Sequence, residues 1–224
     1  MAKIVLEAKN INKSYSNGEN HLTVLENFSL SVFEGDIVTI MGQSGSGKST
    51  ALNILGTLDF PNSGSLKIGE KEIHTLNEKK ISSIRNKEIG FVFQFHHLLT
   101  EFSAFENALM PAWIAGYNKQ DYATELFERM GLIDRMTHLP NQLSGGERSR
   151  VAVIRALINS PKILLADEPT GNLDEKNAEK LIDLLSEINR DLNQSIILTT
   201  HNPGVAKFGN KKYELENRSL IKIP

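Results

Sequence analysis

The sequence predicts an α/β domain with a parallel sheet at its centre, a β-rich N-terminal layer and an inserted helical region. Two short apolar runs, at residues 163–166 and 195–200, have the character of buried parallel strands. A glycine-rich segment at residues 42–47 joins a predicted strand directly to a predicted helix. Between about 104 and 160 the apolar residues instead recur with the period of a helix.

The remaining elements follow from local patterns of apolar and turn-forming residues. Further strands are predicted at residues 4–8, 25–32, 36–41, 66–68 and 89–93, where β-type runs lie between turn residues. Helices are predicted at residues 47–56, 78–85 and 177–191. Turns at Gly116 and Pro140 divide the helical region.

Composition excludes several classes of protein. The 224 residues include 25 basic and 27 acidic side chains, a net charge of −2, so nucleic acid is not expected as a partner. With 40% hydrophobic and 23% charged residues, the chain is expected to fold. It has no cysteine, which fits a reducing compartment and excludes disulfides and thiol chemistry. No apolar run approaches the roughly 20 residues of a membrane span, and the N-terminus lacks the pattern of a signal peptide. A cytoplasmic protein without a membrane span is therefore expected.

A glycine-rich segment follows the strand predicted at residues 36–41, and it fits G-x-x-x-x-G-K-[ST] at every fixed position. Its glycines let successive backbone N–H groups turn toward one centre, and the helix after it adds its positive end, so the segment can bind phosphates. In such a loop Lys48 reaches the β- and γ-phosphates and Ser49 binds Mg²⁺. The nucleotide-binding residues predicted here are Gly42, Gln43, Ser44, Gly45, Ser46, Gly47, Lys48, Ser49 and Thr50.

Two acids end the apolar strand predicted at residues 163–166. A phosphate loop needs a second group to hold Mg²⁺, and the end of a neighbouring strand is the expected source. Asp167 is therefore predicted to hold the metal, through a water molecule. Glu168 comes one residue later, points elsewhere and is predicted to act as the general base toward an attacking water.

A second anion site is predicted about 100 residues after the phosphate loop. Ser144, Gly145 and Gly146 directly precede a predicted helix. The serine offers a hydroxyl, the glycines offer unobstructed N–H groups and the helix adds its dipole. Phosphate loops occur in kinases, GTPases, recombinases and transport ATPases, so the first site alone does not choose between them. A second phosphate-binding site in the same chain narrows the choice among these classes of P-loop protein.

With its Leu143-Ser144-Gly145-Gly146 motif, the chain resembles the ATP-binding subunits of ABC transporters over almost its whole length. The resemblance implies an α/β P-loop NTPase of the ABC type: a RecA-like core with an N-terminal antiparallel β subdomain and an inserted helical subdomain. It implies a single ATPase domain over residues 1–224, with the helical subdomain at approximately 95–160. It also implies a head-to-tail homodimer on ATP binding, in which each ATP lies between one phosphate loop and the partner's Ser144, Gly145 and Gly146. Two-fold symmetry of such a dimer explains why one chain carries both a phosphate loop and a second phosphate-binding site.

Other positions match the family's motifs one by one. Gln94, after a predicted strand, matches the glutamine that contacts the metal or the attacking water and couples to membrane subunits. His201, also after a predicted strand, matches the histidine that contacts the γ-phosphate. Tyr15 matches the aromatic residue that stacks on adenine. Residues 172–174 match the segment that communicates across the dimer.

The resemblance sorts these residues by role, with ATP and Mg²⁺ as the implied ligands. The implied catalytic residues are Glu168, His201, Gln94 and Lys48. The implied metal residues are Ser49, Gln94 and Asp167. Tyr15, Ser144, Gly145 and Gly146 join the phosphate loop in binding the nucleotide. Two positions depart from the family's usual residues: Asn202 stands where aspartate is usual, and Ser149 where glutamine is common.

The segment 167–174 is similar to one branch of the family, which holds lipoprotein-releasing ATPases, macrolide exporters and cell-division ATPases. Segments 53–59, 90–99, 106–111 and 143–148 favour the lipoprotein-releasing, LolD type. This type implies ATP hydrolysis that powers integral permease subunits of the LolC/LolE kind, which release lipoproteins from the inner membrane for transfer to the outer membrane. It also implies a peripheral location on the cytoplasmic face of the inner membrane. A MacB-type drug or peptide exporter and an FtsE-like regulator of cell-wall enzymes are the alternatives.

Overall fold

The computed structural model describes residues 3–17 and 20–224. In these ranges the strands are β1 (Ile4–Asn17), β2 (Asn20–Phe33), β3 (Ile37–Met41), β4 (Ser63–Ile68), β5 (Lys71–Glu72), β6 (Ile89–Val92), β7 (Ile163–Asp167), β8 (Ser195–Thr200), β9 (Lys211–Glu216) and β10 (Ser219–Ile223). The helices are α1 (Lys48–Leu55), α2 (Glu78–Glu88), α3 (Ala104–Ile114), α4 (Gln120–Arg129), α5 (Gly145–Leu157), α6 (Glu175–Leu192) and α7 (Pro203–Ala206). Three short 3₁₀ turns lie at Ile73–Thr75, Ile133–Arg135 and Pro140–Gln142.

The central sheet has the strand order β10-β9-β3-β8-β7-β6, and all its strands from β9 to β6 pair in parallel. Its interior strands are buried on both faces, which is why they are continuous apolar runs. Along β7, Ile163 and Leu165 enter the core that contains α1, whereas Leu164 and Ala166 enter the core that contains α3, α5 and α6. The predicted parallel sheet is confirmed.

The N-terminal sheet is antiparallel, with the order β2-β1-β4-β5. Its first two strands have 14 residues each and extend well beyond the predicted segments 4–8 and 25–32. The extensions are largely polar, so local composition does not mark them as strands. Pairing of β1 with both β2 and β4 supplies the backbone hydrogen bonds that stabilise them, and register shifts accommodate irregular positions.

The last two strands, β9 and β10, were not predicted from the sequence. β9 has the sequence KKYELE, whose charge argues against a buried strand. It nevertheless pairs in parallel with β3, and Leu215 is the residue that it buries. β10 covers the outer edge of β9. Charged side chains are common near the edge of a sheet, where they discourage pairing with other chains.

The segment between β6 and β7 is helical, as predicted. Its first helix, α3, begins with a capping box in which Ser103 and Glu106 bond each other's backbone N–H groups. The turn predicted at Gly116 follows α3, with φ of +75°. The turn predicted at Pro140 is one of the 3₁₀ turns, shortly before α5. Within residues 3–17 and 20–224, no helix has the length and apolar character needed to cross a bilayer.

Candidate nucleotide site

Four neighbouring parallel strands end at one edge of the central sheet, and the predicted site residues follow these ends. Gly42 follows β3, His201 follows β8 and Glu168 follows β7, while Gln94 lies two residues past β6. Ligands of open α/β sheets bind at this carboxyl edge. Parallel topology therefore brings to one edge residues from distant parts of the sequence, from Gly42 to His201.

The phosphate loop, residues 42–50, has the backbone geometry of an anion cradle. Gly45 and Gly47 have φ of +80° and +102°, which non-glycine residues rarely adopt. A Cβ on Gly47 would also lie 2.9 Å from Cγ1 of Val24, so the loop packs too closely for a side chain there. Ser46 Oγ is buried without a hydrogen-bond partner among the described residues. A buried, unsatisfied donor beside the start of α1 fits the binding of phosphate oxygens.

Lys48 lies inside this loop rather than in solvent. Its Nζ donates to the carbonyl oxygens of Gly42 and Gln43, both at 2.9 Å, and only 4% of the residue is exposed. The same Nζ lies 3.3 Å from Oε1 of Glu168. The loop thus holds a positive charge at its centre, where a phosphate loop binds anionic oxygens.

Asp167, which ends β7, and Glu168, which follows it, share a partner that was not predicted from the sequence. Thr199 on β8 donates from Oγ1 to Oδ1 of Asp167 at 2.7 Å. Its carbonyl oxygen and its Oγ1 both lie 3.2 Å from the backbone N of Glu168. The buried hydroxyl therefore orients the Asp167 carboxylate, and Thr199 also fixes the backbone of Glu168. Its signal in the sequence is a polar residue near the end of an apolar strand, two positions before His201.

Glu168 and His201 make direct contact. Nδ1 of His201 lies 2.9 Å from Oε2 of Glu168, and the imidazole is otherwise largely exposed. Because a carboxylate only accepts hydrogen bonds, Nδ1 is the ring nitrogen that donates here. Glu168 has a positive φ of +43°, a conformation that is rare outside glycine and that concentrates at functional sites.

Gln94 lies against the segment 171–174. A Cβ on Gly171 would be 2.9 Å from Nε2 of Gln94, so the absence of a side chain allows this approach. Asn172 donates from Nδ2 to the carbonyl oxygen of Gln94 at 3.0 Å. The predicted metal-contacting glutamine and the segment predicted to face the partner are therefore in contact within one subunit.

Tyr15 contacts two charged residues, Asp59 and Lys13, that were not predicted as site residues from the sequence. Its hydroxyl donates to Oδ2 of Asp59 at 2.7 Å, and Lys13 donates to Oδ1 of Asp59 at 2.7 Å. Lys13 Nζ also lies 4.7 Å from the centroid of the tyrosine ring. Partial burial by itself would raise the pKa of Asp59, but the hydrogen bonds from Lys13 and Tyr15 outweigh it and lower that pKa below its ordinary value. The tyrosine ring is 43% exposed and available for stacking.

Ser144, Gly145 and Gly146 start α5, apart from the residues just described. Within residues 3–17 and 20–224, no hydrogen bond or ion pair joins these three to the phosphate loop. Gly145 and Gly146 lie instead against Leu173 and Asn177, at the start of α6. The second predicted anion site is therefore separate from the first within one subunit.

The start of α5 is strongly capped. Ser144 Oγ accepts from the backbone N of Glu147 at 3.3 Å, and the backbone N of Ser144 donates to Glu147 Oε2 at 2.7 Å. These bonds from Ser144, with the nearby Arg135 guanidinium, lower the pKa of Glu147 to about 2. The ionised carboxylate stabilises the positive end of the helix.

The donor set near the phosphate loop fits a magnesium ion bound partly through water. Among the described residues no group of three or more His, Cys, Asp and Glu side chains converges on one point. Mg²⁺ does not need such a cage, because it keeps several waters and uses one or two protein oxygens besides phosphates. Ser49 offers an exposed hydroxyl, and Asp167 a carboxylate oriented by Thr199.

The comparisons with known proteins agree with this geometry. A family model described as "ABC transporter" matches residues 25–171. The lipoprotein-releasing system ATP-binding protein LolD of Pseudoalteromonas translucida is 46% identical, over 99% of this chain and 97% of that protein. LolD of Geobacter metallireducens is also 46% identical, over 97% and 98% of the two chains.

Solved structures show the same fold. A dimeric structure of the ATP-binding cassette MJ0796, in a post-hydrolysis state bound to ADP and Pi, superposes with a TM-score of 0.88 and 38% identity. The match covers 98% of this chain and 99% of that one. The resemblance recognised in the sequence and the fold that it implied are both confirmed, and the chain belongs to the ABC transporter family as one of its ATPase subunits.

Proposed function

We propose that this chain is the ATPase of a lipoprotein-releasing transporter, acts as a homodimer, and drives integral membrane subunits of the LolC/LolE kind from the cytoplasmic face of the inner membrane. The observation that supports it most is 46% identity over nearly the full length to LolD proteins, combined with a complete set of phosphate-binding and acidic groups at one sheet edge. The whole chain acts as one ATPase domain, with residues of approximately 95–160 as its helical subdomain.

In the proposed reaction, Tyr15 stacks on the adenine, and the backbone N–H groups of the phosphate loop bind the phosphates. Lys48 stabilises the charge that develops on the γ-phosphate, since it is already held among the loop's carbonyls. Glu168 accepts a proton from the attacking water, and His201 steadies both Glu168 and the γ-phosphate. In this proposal Gln94 contacts the attacking water or the metal.

Magnesium fits the same edge. Ser49, Gln94 and, through water, Asp167 would hold Mg²⁺, which would supply positive charge to balance that of the nucleotide's phosphates. Thr199 keeps the Asp167 carboxylate in a fixed orientation through its 2.7 Å hydrogen bond.

Dimerisation completes the site in this proposal. Each subunit holds its own phosphate loop and, separately, the start of α5 with its two glycines. In a head-to-tail pair with two-fold symmetry, Ser144, Gly145 and Gly146 of one subunit contact the nucleotide on the other. The capping bonds of Ser144 and Glu147 keep this helix start ready to receive phosphate oxygens.

An apolar groove supports a membrane partner. This groove, which we call the α3 groove, has a volume of about 400 Å³ and lies between β6 and the end of α3. Phe91, Phe93, His97, Ile114 and Arg155 are among its lining residues. Ile114 is 71% exposed, and it lies in one groove with Phe91 and Phe93. Exposed apolar surface of this kind marks interaction sites, and we infer that an amphipathic segment of a permease occupies the groove.

Affinity purification from native membranes tests the proposal. The Glu168→Gln variant is purified with ATP, because slowed hydrolysis favours the closed dimer and its complex. We expect two different integral membrane proteins with large external domains to co-purify, together with bound lipoprotein. Ile114→Glu, which places a charge in the α3 groove, should lose these partners while the chain remains folded and binds ATP.

Other outcomes would overturn parts of the proposal. A single kind of membrane subunit with an adaptor protein would indicate an exporter, and a regulator of cell-wall enzymes would indicate a division ATPase. Recovery of no membrane protein at all would contradict a role in transport. If Ile114→Glu recovers the same membrane partners as the protein without this change, the α3 groove is not their docking site.

A further inference from the structure

The chain after Gln94 makes a strained turn through two histidines. His96 and His97 have φ of +61° and +47°, and two consecutive non-glycine residues in this region are unusual. Arg155 on α5 holds the turn, because its guanidinium donates to the carbonyl oxygens of His96 and His97 at 2.5 and 2.7 Å. Strain of this kind persists only where surrounding contacts impose it.

The side chain of His96 then reaches the start of α5. It is 8% exposed, and its Nε2 lies 2.7 Å from Oγ of Ser149. Ser149 Oγ donates to the carbonyl oxygen of Gly145 at 3.1 Å. A serine hydroxyl has one proton, so its bond to Gly145 leaves it to accept from Nε2–H of His96. The two residues form a chain of hydrogen bonds from the turn after Gln94 to the backbone of Gly145.

We propose that His96 and Ser149 are positioning residues that couple the loop of Gln94 to the start of α5. This inference rests on the proposed function, in which Gln94 serves the subunit's own nucleotide and Gly145 serves the partner's. The hydrogen-bonded chain makes the two segments move together. It also lies beside the α3 groove, where His97 and Arg155 are lining residues. A segment docked there would therefore act on both nucleotide sites at once.

Ser149, which stands where the family commonly has glutamine, makes both hydrogen bonds of this link. A serine is short enough to bond back to Gly145 within its own helix, as Ser149 does, and still meet a buried histidine. A second contact between the loop and the partner-facing region exists, from Asn172 to the carbonyl oxygen of Gln94. Loss of the histidine–serine link should therefore weaken the coupling but not abolish it.

Steady-state ATPase kinetics of the full chain test this coupling. The variants are His96→Ala, Ser149→Ala, their double variant and Ser149→Thr, which restores the hydroxyl. Ser186→Ala is the matched control, because Ser186 bonds back to Ile182 in α6 in the same way but has no histidine partner. Melting temperatures are measured for each variant.

We expect kcat to fall about 5- to 20-fold in each single alanine variant, with KM for ATP changed less than about twofold, since the phosphate loop is untouched. The double variant should be no slower than the slower single variant, because both remove the same link. Ser149→Thr should recover at least half of kcat, and Ser186→Ala should match the wild type.

Several results would overturn the inference. Single variants with wild-type kcat, or losses that multiply in the double variant, would show that the two residues do not act as a unit. If Ser186→Ala lowers kcat as much as Ser149→Ala does, the effect comes from the loss of a hydrogen bond within a helix and not from the link to His96. The assay needs only ATP, Mg²⁺ and the full chain, so it is readable whichever membrane proteins co-purify. Should His96→Ala fail to fold, Ser149→Ala and Ser149→Thr still decide the outcome.

Discussion

Oε2 of Glu168 accepts a hydrogen bond from Nδ1 of His201 over 2.9 Å. The other carboxylate oxygen of Glu168 lies 3.3 Å from Nζ of Lys48. One carboxylate thus lies between the cation of the phosphate loop and the imidazole at the end of β8. Lys48 begins α1 after the loop that follows β3, whereas Glu168 follows β7 and His201 follows β8. Their meeting point is where we place the γ-phosphate and the attacking water.

Replacement of the general base tests this centre most directly. Glu168→Gln keeps the shape of the side chain and removes its basicity, so turnover should fall about 10²- to 10⁴-fold and an ATP-bound dimer should accumulate. ATPase assays and size-exclusion chromatography with ATP measure both effects. Glu187→Gln, an exposed acid on α6, is the control and should hydrolyse ATP at the wild-type rate. Undiminished hydrolysis in Glu168→Gln would remove Glu168 from the role of base.

The exposed imidazole should affect turnover more than binding. His201→Ala removes the hydrogen bond to Glu168 and the proposed contact with the γ-phosphate, but leaves the phosphate loop and Tyr15 intact. We expect kcat to fall about 10- to 100-fold, with KM for ATP within about threefold of the wild type. Steady-state kinetics separate the two parameters. A rise in KM with kcat preserved would indicate that His201 serves binding alone.

The buried hydroxyl of Thr199 should control the metal requirement. Thr199→Val has nearly the same shape and removes the hydrogen bond to Asp167. The concentration of Mg²⁺ that gives half-maximal ATPase activity should rise about 3- to 10-fold, because the Asp167 carboxylate loses its fixed orientation. Thr39→Val is the matched control: its hydroxyl is also buried in the central sheet, but it donates to the carbonyl oxygen of Ala206. An equal rise in both variants would contradict a specific role of Thr199.

The support behind Tyr15 should affect the affinity for ATP. Asp59→Asn weakens the hydrogen bonds that hold the tyrosine hydroxyl and Lys13. We expect KM for ATP to rise about 3- to 10-fold with kcat nearly unchanged, since stacking of one aromatic ring on a base contributes on the order of 1–3 kcal/mol. Tyr15→Ala sets the upper limit of the effect. A fall in kcat without a change in KM would contradict this role.

Glu147 should make the stability of the chain depend on pH in the acid range. Its pKa is about 2 in the folded chain against an ordinary value of 4.5, so its contribution is complete above pH 4.5 and is lost as pH falls toward about 2. Glu147→Gln should therefore lower the free energy of unfolding at neutral pH by roughly 1–2 kcal/mol. The difference from the wild type should shrink as the pH decreases through this window. Urea denaturation at several pH values measures it, and a constant difference would show that charge is not its cause.

Much of this protein could be predicted from short segments of its sequence. The phosphate loop is recognisable because its chemistry needs glycines, Lys48 and Ser49 at fixed spacing, and that spacing is local. The central strands are recognisable because burial on both faces demands continuous apolar residues. Glu168 and the start of α5 are likewise marked locally, the first by the apolar strand directly before it and the second by Ser144, Gly145 and Gly146.

Other features depend on residues far apart in the chain. The polar ends of β1 and the charged strand β9 are strands only because a partner strand supplies their hydrogen bonds. The contact of Thr199 with Asp167 spans 32 residues, and that of His96 with Ser149 spans 53. The local sequence shows at most that such a residue is polar, as at the end of the apolar strand β8, and the group that faces it sets its role. Local chemistry therefore made the binding motifs readable from the sequence, whereas the tertiary structure decided which side chains orient them and couple them to one another.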